Sequence, residues 1–395
     1  MIYLDNHATT QCDPLAAEKM LPWFCEFFAN PHSSHTAGQV AAEGIERAIA
    51  SIASNLNIAA DKIVITSGAT ESNQLAIRGA LTHPRQKRRH LVSVASEHPA
   101  VLDVLKDLER DGFQVTLVPV IPQGNSDRST RPDAGIVDMD RLSEAITDDT
   151  ALVSVMWANN ESGAINPMEE ISELCLQRDC LLHCDATQAV GRLPVDLQSV
   201  KIDLLSATAH KFYGPKGTGF LVIGGSEKRV RLRPQLVGGG QQGGLRSGTM
   251  NPAGIIGMST ALSQATENLE DDSTRIRNLR DRLWQRLDSE IDGLILNGSS
   301  LNGDLRLSGN LNLQLPDVEG QAWVSATADI LFSSGSACSG HDAAPSHVLT
   351  ALGLQESQAR RSVRFGVGRF NSSEQIESAA EQLIASYHQL KKLSA

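Results

Sequence analysis

The sequence predicts an α/β fold, a large domain on a mostly parallel sheet followed by a smaller α+β domain. Three observations predict it. Between Asp61 and about Gly225, short runs rich in β-branched residues alternate with helical patterns, the rhythm of parallel strands with crossover helices. The runs are apolar throughout rather than alternating, as expected of strands covered on both faces. At 395 residues the chain is also too long for one simple core.

In order, the strand runs are KIVIT (62–66), HLVSVA (90–95), VTLVPV (115–120), ALVSVMW (151–157) and CLLHCD (180–185). Helix patterns fall at 71–79, 100–110 and 168–178. Residues 121–135, IPQGNSDRSTRPDAG, gather turn formers and charges and are expected to form a surface loop. Beyond Gly254 one long helical pattern rich in Arg, Asp and Glu runs to near Asp288. A strand GNLNLQL (309–315), a short helix and a strand leading into SSGSACSG (333–340) complete the smaller domain. Ser372-Ser373-Glu374-Gln375 is a capping-box pattern ahead of Ile376, Ala380, Leu383, Ile384 and Tyr387 at helical spacing, which predicts a last helix.

The formal net charge of −11 argues against a protein that grips nucleic acid over its whole surface. The one basic run, Arg85 to Arg89, reads as a solvated loop between a helix and a strand. The opening MIYLDNHATT has neither a basic n-region nor an apolar h-region, and no later run reaches membrane-span length, so a cytoplasmic protein is expected. Six scattered cysteines make no disulfide framework.

Ligands of open parallel sheets bind at the carboxyl ends of the strands, which directs attention to four places. Ser67 to Asn73 follows KIVIT at a helix start, where free N–H groups and hydroxyls can cradle a phosphate. Asp185 ends CLLHCD, and a carboxylate there can hold a positive ring nitrogen, or simply cap a helix. Ser206-Ala207-Thr208-Ala209-His210-Lys211 is an apolar strand ending in a lysine, unusual because Lys is rarely buried without a partner. Desolvation lowers a lysine's pKa and suits the amine to a Schiff base, whereas Lys216 reads as a snorkelling surface lysine. His98, after HLVSVA, can stack on a flat cofactor or cap a helix. Together these features describe a site for pyridoxal phosphate.

Three patterns are rejected. Gly238 to Gly243 matches G-x-G-x-x-G but follows no buried strand. Cys175, Cys180, His183 and Cys184 lack paired zinc spacing and read as core residues, so no metal site is expected. Gly214-Pro215-Lys216-Gly217-Thr218 lacks the glycine spacing of a P-loop.

From YLDNHATT (3–10) to RFGVGR (364–369) the chain resembles the cysteine desulfurases of the NifS/IscS type, in the class V aminotransferase family. The resemblance implies aminotransferase fold type I with a seven-stranded sheet, the large domain spanning 16–255 and the small one 1–15 with 256–395. It implies that Lys211 binds the cofactor covalently, with Ala69, Thr70, Thr208 and His210 at its phosphate. Asp185 would pair with the ring nitrogen, Gln188 with the ring hydroxyl, and His98 would stack on the ring and assist proton transfer. Asn160 would touch cofactor and substrate, Arg364 would clamp the substrate carboxylate, and Thr249 would be lent to the phosphate of a second subunit in a homodimer.

In this family the cysteine of S-S-G-S-A-C is the nucleophile that takes sulfur from L-cysteine, leaving alanine and a persulfide. Cys338 matches it. Small neighbours give such a cysteine room to reach the cofactor and then a sulfur-acceptor protein. Iron-sulfur assembly, transfer-RNA thiolation and DNA phosphorothioation all draw on relatives of this kind. A selenocysteine lyase or aminotransferase would dispense with Cys338, and a silent scaffold with Lys211 and Asp185. The chain departs from the family at Gly243, where relatives often carry arginine, at His341 and Asp342 after the cysteine, and in the longer loop 121–135.

Overall fold

The structure is a computed structural model that describes residues 1–124, 131–226, 228–335 and 344–394. Its strands, in chain order, begin with β1 (Ile2–Tyr3), β2 (Ile63–Thr66), β3 (His90–Val94), β4 (Gln114–Val118) and β5 (Thr150–Ser154). They continue with β6 (Leu181–Asp185), β7 (Leu204–Thr208), β8 (Gly219–Ile223), β9 (Ile295–Leu296) and β10 (Asn310–Gln314). The chain then adds β11 (Ile330–Leu331), β12 (Ser333–Ser334) and β13 (Ser362–Gly366).

Seven strands form one sheet in the order β2-β8-β7-β6-β5-β3-β4. The pairings from β4 through β7 are parallel, while β8 runs antiparallel to both β7 and β2. This is the mostly parallel sheet that the apolar runs predict, and β3, β5, β6 and β7 are buried along almost their whole length. The run at β4 departs from that reading. It is the sheet's last strand, and Gln114 and Leu117 are exposed because only β3 flanks it. At the opposite edge, β2 has no outer strand, and the Gln242 side chain occupies the backbone of Ile65 instead. The Gln242 Oε1 accepts from the Ile65 N–H at 2.7 Å and its Nε2 donates to the Ile65 carbonyl at 2.9 Å.

The smaller unit is an antiparallel sheet, β12-β13-β10-β9, with β1 pairing in parallel with β11 beside it. Its core centres on Trp323, which meets Phe332, Phe365 and Tyr387 edge to face and donates to the Leu383 carbonyl at 3.1 Å. Leu4 lies in this core, so the first residues belong to it although they open the chain. The last helix, Ser373–Ser394, starts with the expected box. Gln375 N–H donates to Ser372 Oγ (3.2 Å), and Ser372 N–H donates to Gln375 Oε1 (3.3 Å).

The long helical pattern after Gly254 is two helices, Pro252–Glu267 and Leu269–Glu290, that break at Asn268. The break has a local cause. Asn268 leaves the helical conformation (φ −104°, ψ 14°) and turns its amide back on the Gln264 carbonyl at 2.8 Å. The first of the two buries Ile255, Met258, Ala261 and Leu262 in the same core as Ile45 and Ile52 of the helix Thr36–Asn55. The second packs Leu279, Leu283 and Leu287 into the core around Trp323.

Candidate active site

The carboxyl ends of β3, β6 and β7 and the start of the helix Ala69–Leu81 open on a pocket of about 630 Å³. Topology alone puts it there. Where strand order reverses, connections leave in opposite directions and open a crevice at the strand ends.

Lys211 enters this pocket from the single turn Ala209–Lys211 that ends β7. Its Nζ donates to the carbonyls of His7 (2.6 Å) and Ala8 (2.7 Å) and meets no carboxylate. Burial, then the nearby Arg192 and Arg364 charges, bring its pKa down to about 7 against the opposing pull of Asp185 and Asp5. Roughly half of the amine is therefore unprotonated near neutral pH, the nucleophilic form.

Asp185 ends β6 on the pocket wall. Asn73 Nδ2 donates to its Oδ2 at 2.8 Å and the Thr187 N–H to its Oδ1 at 3.0 Å, so it is aimed by neutral donors. The neighbouring carboxyl, Glu97, is completely buried and takes one N–H, from Met156 at 2.5 Å. Burial and the Asp185 charge push the Glu97 pKa well above the carboxylate range.

His98 both caps and lines. Its Nδ1 accepts from the Ala100 N–H at 3.1 Å at the start of the helix Pro99–Arg110, and its ring forms part of the pocket. With Nδ1 accepting, the ring proton sits on Nε2. Burial lowers its pKa more than Asp185 raises it, so the ring is neutral at pH 7.

Ala69, Thr70, Thr208 and His210 line the same pocket. Gly68 precedes the helix at φ 152°, where a side chain is disfavoured. Burial and the Lys211 charge lower the His210 pKa to about 4, so it too is neutral, with Nδ1 3.0 Å from Thr9 Oγ1. Glu71 in the first turn accepts from the Ser67 N–H at 2.7 Å and from Arg246 Nε at 2.8 Å. Burial would raise the Glu71 pKa, but the Arg246 and Ser67 hydrogen bonds hold it below the ordinary value.

Gln188 lines the pocket with its amide engaged, Nε2 donating to the His7 carbonyl at 2.9 Å. Asn160 lines it as well, on a loop fastened by the smaller unit: Arg364 Nη1 donates to the Asn160 carbonyl (3.3 Å), and Asn310 and Asn312 to that of Glu161 (3.0 and 3.1 Å). Arg364 reaches the Asn160 carbonyl and pairs with Asp5 at 2.8 Å, and its buried Nε has no partner among the described residues. Thr249 is exposed and stands apart from the pocket. Cys338, His341 and Asp342 lie outside the described residues. The residues flanking them are joined, Ser346 N–H donating to the Gly335 carbonyl at 3.0 Å, and Ser346 Oγ donates to Glu161 Oε2 at 2.5 Å.

Four residues have placements or contacts that a reading of strand ends does not assign. Lys216 lines the pocket, although its setting in the sequence suggested a surface lysine. Thr187 lines it with a buried Oγ1 that has no partner. Asn73 and Glu97 act through Asp185. The expected core thiols Cys175, Cys180 and Cys184 are buried. Gly243 adopts φ 65° between Gln242 (51°) and Gly244 (78°), a left-handed run with open space about the glycine.

The family model described as aminotransferase class-V matches residues 2–378. The chain belongs to the class-V aminotransferase family. Among class-V relatives, a protein from Neisseria meningitidis serogroup A named cysteine desulfurase IscS is 44% identical over 396 residues, covering 100% of this chain and 94% of that one. A solved structure titled NifS-like protein superposes with a TM-score of 0.88 at 31% identity, covering 98% of this chain and 99% of that one. Another, SspA in complex with cysteine, gives 0.78 at 32% identity, with 94% and 100% covered. The large seven-stranded domain with its smaller α+β companion is the class-V form of the type I aminotransferase fold.

Proposed function

We propose that this chain is a pyridoxal-phosphate-dependent cysteine desulfurase, which converts L-cysteine to L-alanine and keeps the sulfur as a persulfide on Cys338. The observation that carries the reading is the convergence of Lys211, Asp185 and His98 on one pocket that the start of the helix Ala69–Leu81 also lines. The full-length likeness to proteins named cysteine desulfurase supports the substrate.

The residues present fit the cofactor. Lys211 offers an amine with a pKa near 7, Asp185 an oriented anion for the ring nitrogen, and the partnerless Thr187 hydroxyl faces the same space. Ala69, Thr70, Thr208 and His210 would hold the phosphate, Gln188 the ring hydroxyl, His98 the ring face, and Asn160 both cofactor and substrate. When bound, pyridoxal phosphate supplies the electron sink that acidifies the substrate α-carbon.

Arg364 would take the substrate carboxylate in exchange for part of its contact with Asp5. The Lys211 amine, displaced, is the base that removes the α-proton, and neutral His98 can donate or receive a proton through Nε2. The Cys338 thiolate then forms a bond to the substrate sulfur as the carbon–sulfur bond of the substrate breaks. The carbon skeleton leaves as alanine, and the persulfide passes to a sulfur-acceptor protein.

Thr249, exposed outside the pocket, suits a homodimer in which each subunit completes the phosphate site of the other. We place the domain boundary at Asn268 rather than residue 255, because Ile255, Met258 and Leu262 bury roughly 1.5–3 kcal/mol each in the large core. A cytoplasmic location goes with this reading; among the described residues no helix is long and apolar enough to cross a membrane.

Alanine and sulfide release from L-cysteine tests the proposal, with Cys338→Ser and Lys211→Ala alongside the parent. Release by the parent alone, with the cofactor spectrum retained in Cys338→Ser, is the expected result. Equal release by Cys338→Ser would remove the persulfide route.

A further inference from the structure

Arg192 is a half-buried cation that the chemistry above leaves without a task. It follows the turn after Asp185 and has no carboxylate partner among the described residues. Its bonds run to the lysine's backbone and to the loop that receives the lysine's amine. Nε and Nη2 both donate to the backbone carbonyl of Lys211 (3.0 and 2.9 Å), Nη2 also to the Asn6 carbonyl (2.6 Å), and Nη1 to His7 Nδ1 (2.8 Å). The carbonyls of His7 and Ala8, the next two residues of that loop, receive the lysine's own Nζ.

A guanidinium drawn partly out of water with no counter-ion among the described residues is costly to keep, and a neutral side chain would fill the same space more cheaply. What Arg offers is a rigid fork with five donors in one plane, enough to hold two chain segments in register. The segments it holds are the two ends of the Lys211 side chain's confinement: the backbone it springs from and the carbonyls its amine reaches.

We propose that Arg192 is a positioning residue for Lys211, tying the lysine's carbonyl to the loop 6–8 that receives its amine and so fixing where that amine stands in the pocket. This rests on reading Lys211 as the lysine that binds the cofactor. The charge has a second effect in the same direction. After burial itself, Arg192 is the largest contributor to the low Lys211 pKa, ahead of Arg364, with Asp185 and Asp5 opposing. The histidines facing this region, His7, His98 and His210, are held neutral by burial and leave the balance to those four charges.

Two substitutions separate fork from charge. Arg192→Lys keeps the charge and loses the fork; Arg192→Gln loses both the charge and most of the donors. In the full-length chain freed of cofactor, acylation of Lys211 followed by mass spectrometry across pH reads the lysine's titration midpoint. The rate of pyridoxal 5′-phosphate capture well above that midpoint reads positioning alone. We expect Arg192→Lys to keep the midpoint but slow capture roughly tenfold, and Arg192→Gln to slow capture and raise the midpoint by about one unit. Capture at the parental rate in both variants overturns the proposal, as does a midpoint that rises equally in both. If Arg192→Gln does not fold, Arg192→Lys decides through its capture rate. A parent chain that takes up no cofactor refutes the functional reading instead, while the plateau rate of Lys211 acylation still decides what Arg192 does.

Discussion

Asn73 Nδ2 donates to Asp185 Oδ2 across 2.8 Å, joining the helix Ala69–Leu81 to the end of β6. One neutral amide thereby links the first helix of the pocket wall to the carboxyl group at the end of β6. Asn73→Ala leaves Oδ2 without its donor, a loss of about 1–3 kcal/mol for a buried acceptor. The expected outcome is weaker cofactor retention and a lower melting temperature of the loaded protein, read by absorbance titration and calorimetry. Asn73→Asp sets a second carboxylate against the first and should be worse still.

The low pKa of Lys211 has a stability signature. Its folded value of about 7 lies below the ordinary 10.5, so between those values the unfolded chain holds a proton that the folded chain has shed. Stability of the cofactor-free protein therefore climbs with pH through that window, and the penalty is complete below it. Lys211→Met should flatten the climb in melting temperature. Cofactor capture should fall in the parent as pH drops below 7, because the protonated amine cannot attack.

Arg246 neutralises the one carboxylate in the first turn of the phosphate cradle, Glu71, at 2.8 Å. Arg246→Ala exposes that charge to the phosphate, and roughly tenfold weaker cofactor binding, ~1.4 kcal/mol, is expected. Adding Glu71→Gln should restore most of it, a compensation that equilibrium dialysis of the double variant would detect. The pair's contribution to stability is present above the unfolded carboxyl pKa and is lost as pH falls through the depressed one.

Gly163 sits at φ 76° with Asn310 only 2.5 Å from where a Cβ would stand. Gly163→Ala must both strain the backbone and push Asn310 off the Glu161 carbonyl, at about 2–3 kcal/mol. Because the same loop carries Asn160, activity should fall more than the melting temperature alone accounts for. A KM for L-cysteine that does not change would argue against this coupling.

Strand ends were legible because a parallel sheet dictates where its ligands go. Lys211, Asp185 and His98 each follow an apolar run directly, and the residue type states the chemistry. Arg364 and Asp5, 359 positions apart, meet only after the first residues join the core of the last ones, and no local pattern announces such a pairing. Lys216 lines the pocket because the chain turns at Gly217 (φ 77°) into β8, and its sequence setting offers nothing beyond an ordinary exposed lysine. Arg192 and Glu97 escaped for the opposite reason: an ionisable group without a counter-charge has no signature in sequence, since its meaning lies in which backbone groups surround it. The break at Asn268 was hidden because helical spacing continues on both sides of it.

The side chain of Gln242 imitates a strand. By filling the N–H and the carbonyl of Ile65, it leaves the outer edge of the large sheet with fewer open positions for another chain. β2 joins the sheet only through β8, which is complete before residue 242 emerges, so for that short interval the nascent sheet exposes an apolar, templating edge. Substituting Gln242 should show first as clumping during expression at high temperature, in a protein whose purified fraction still works.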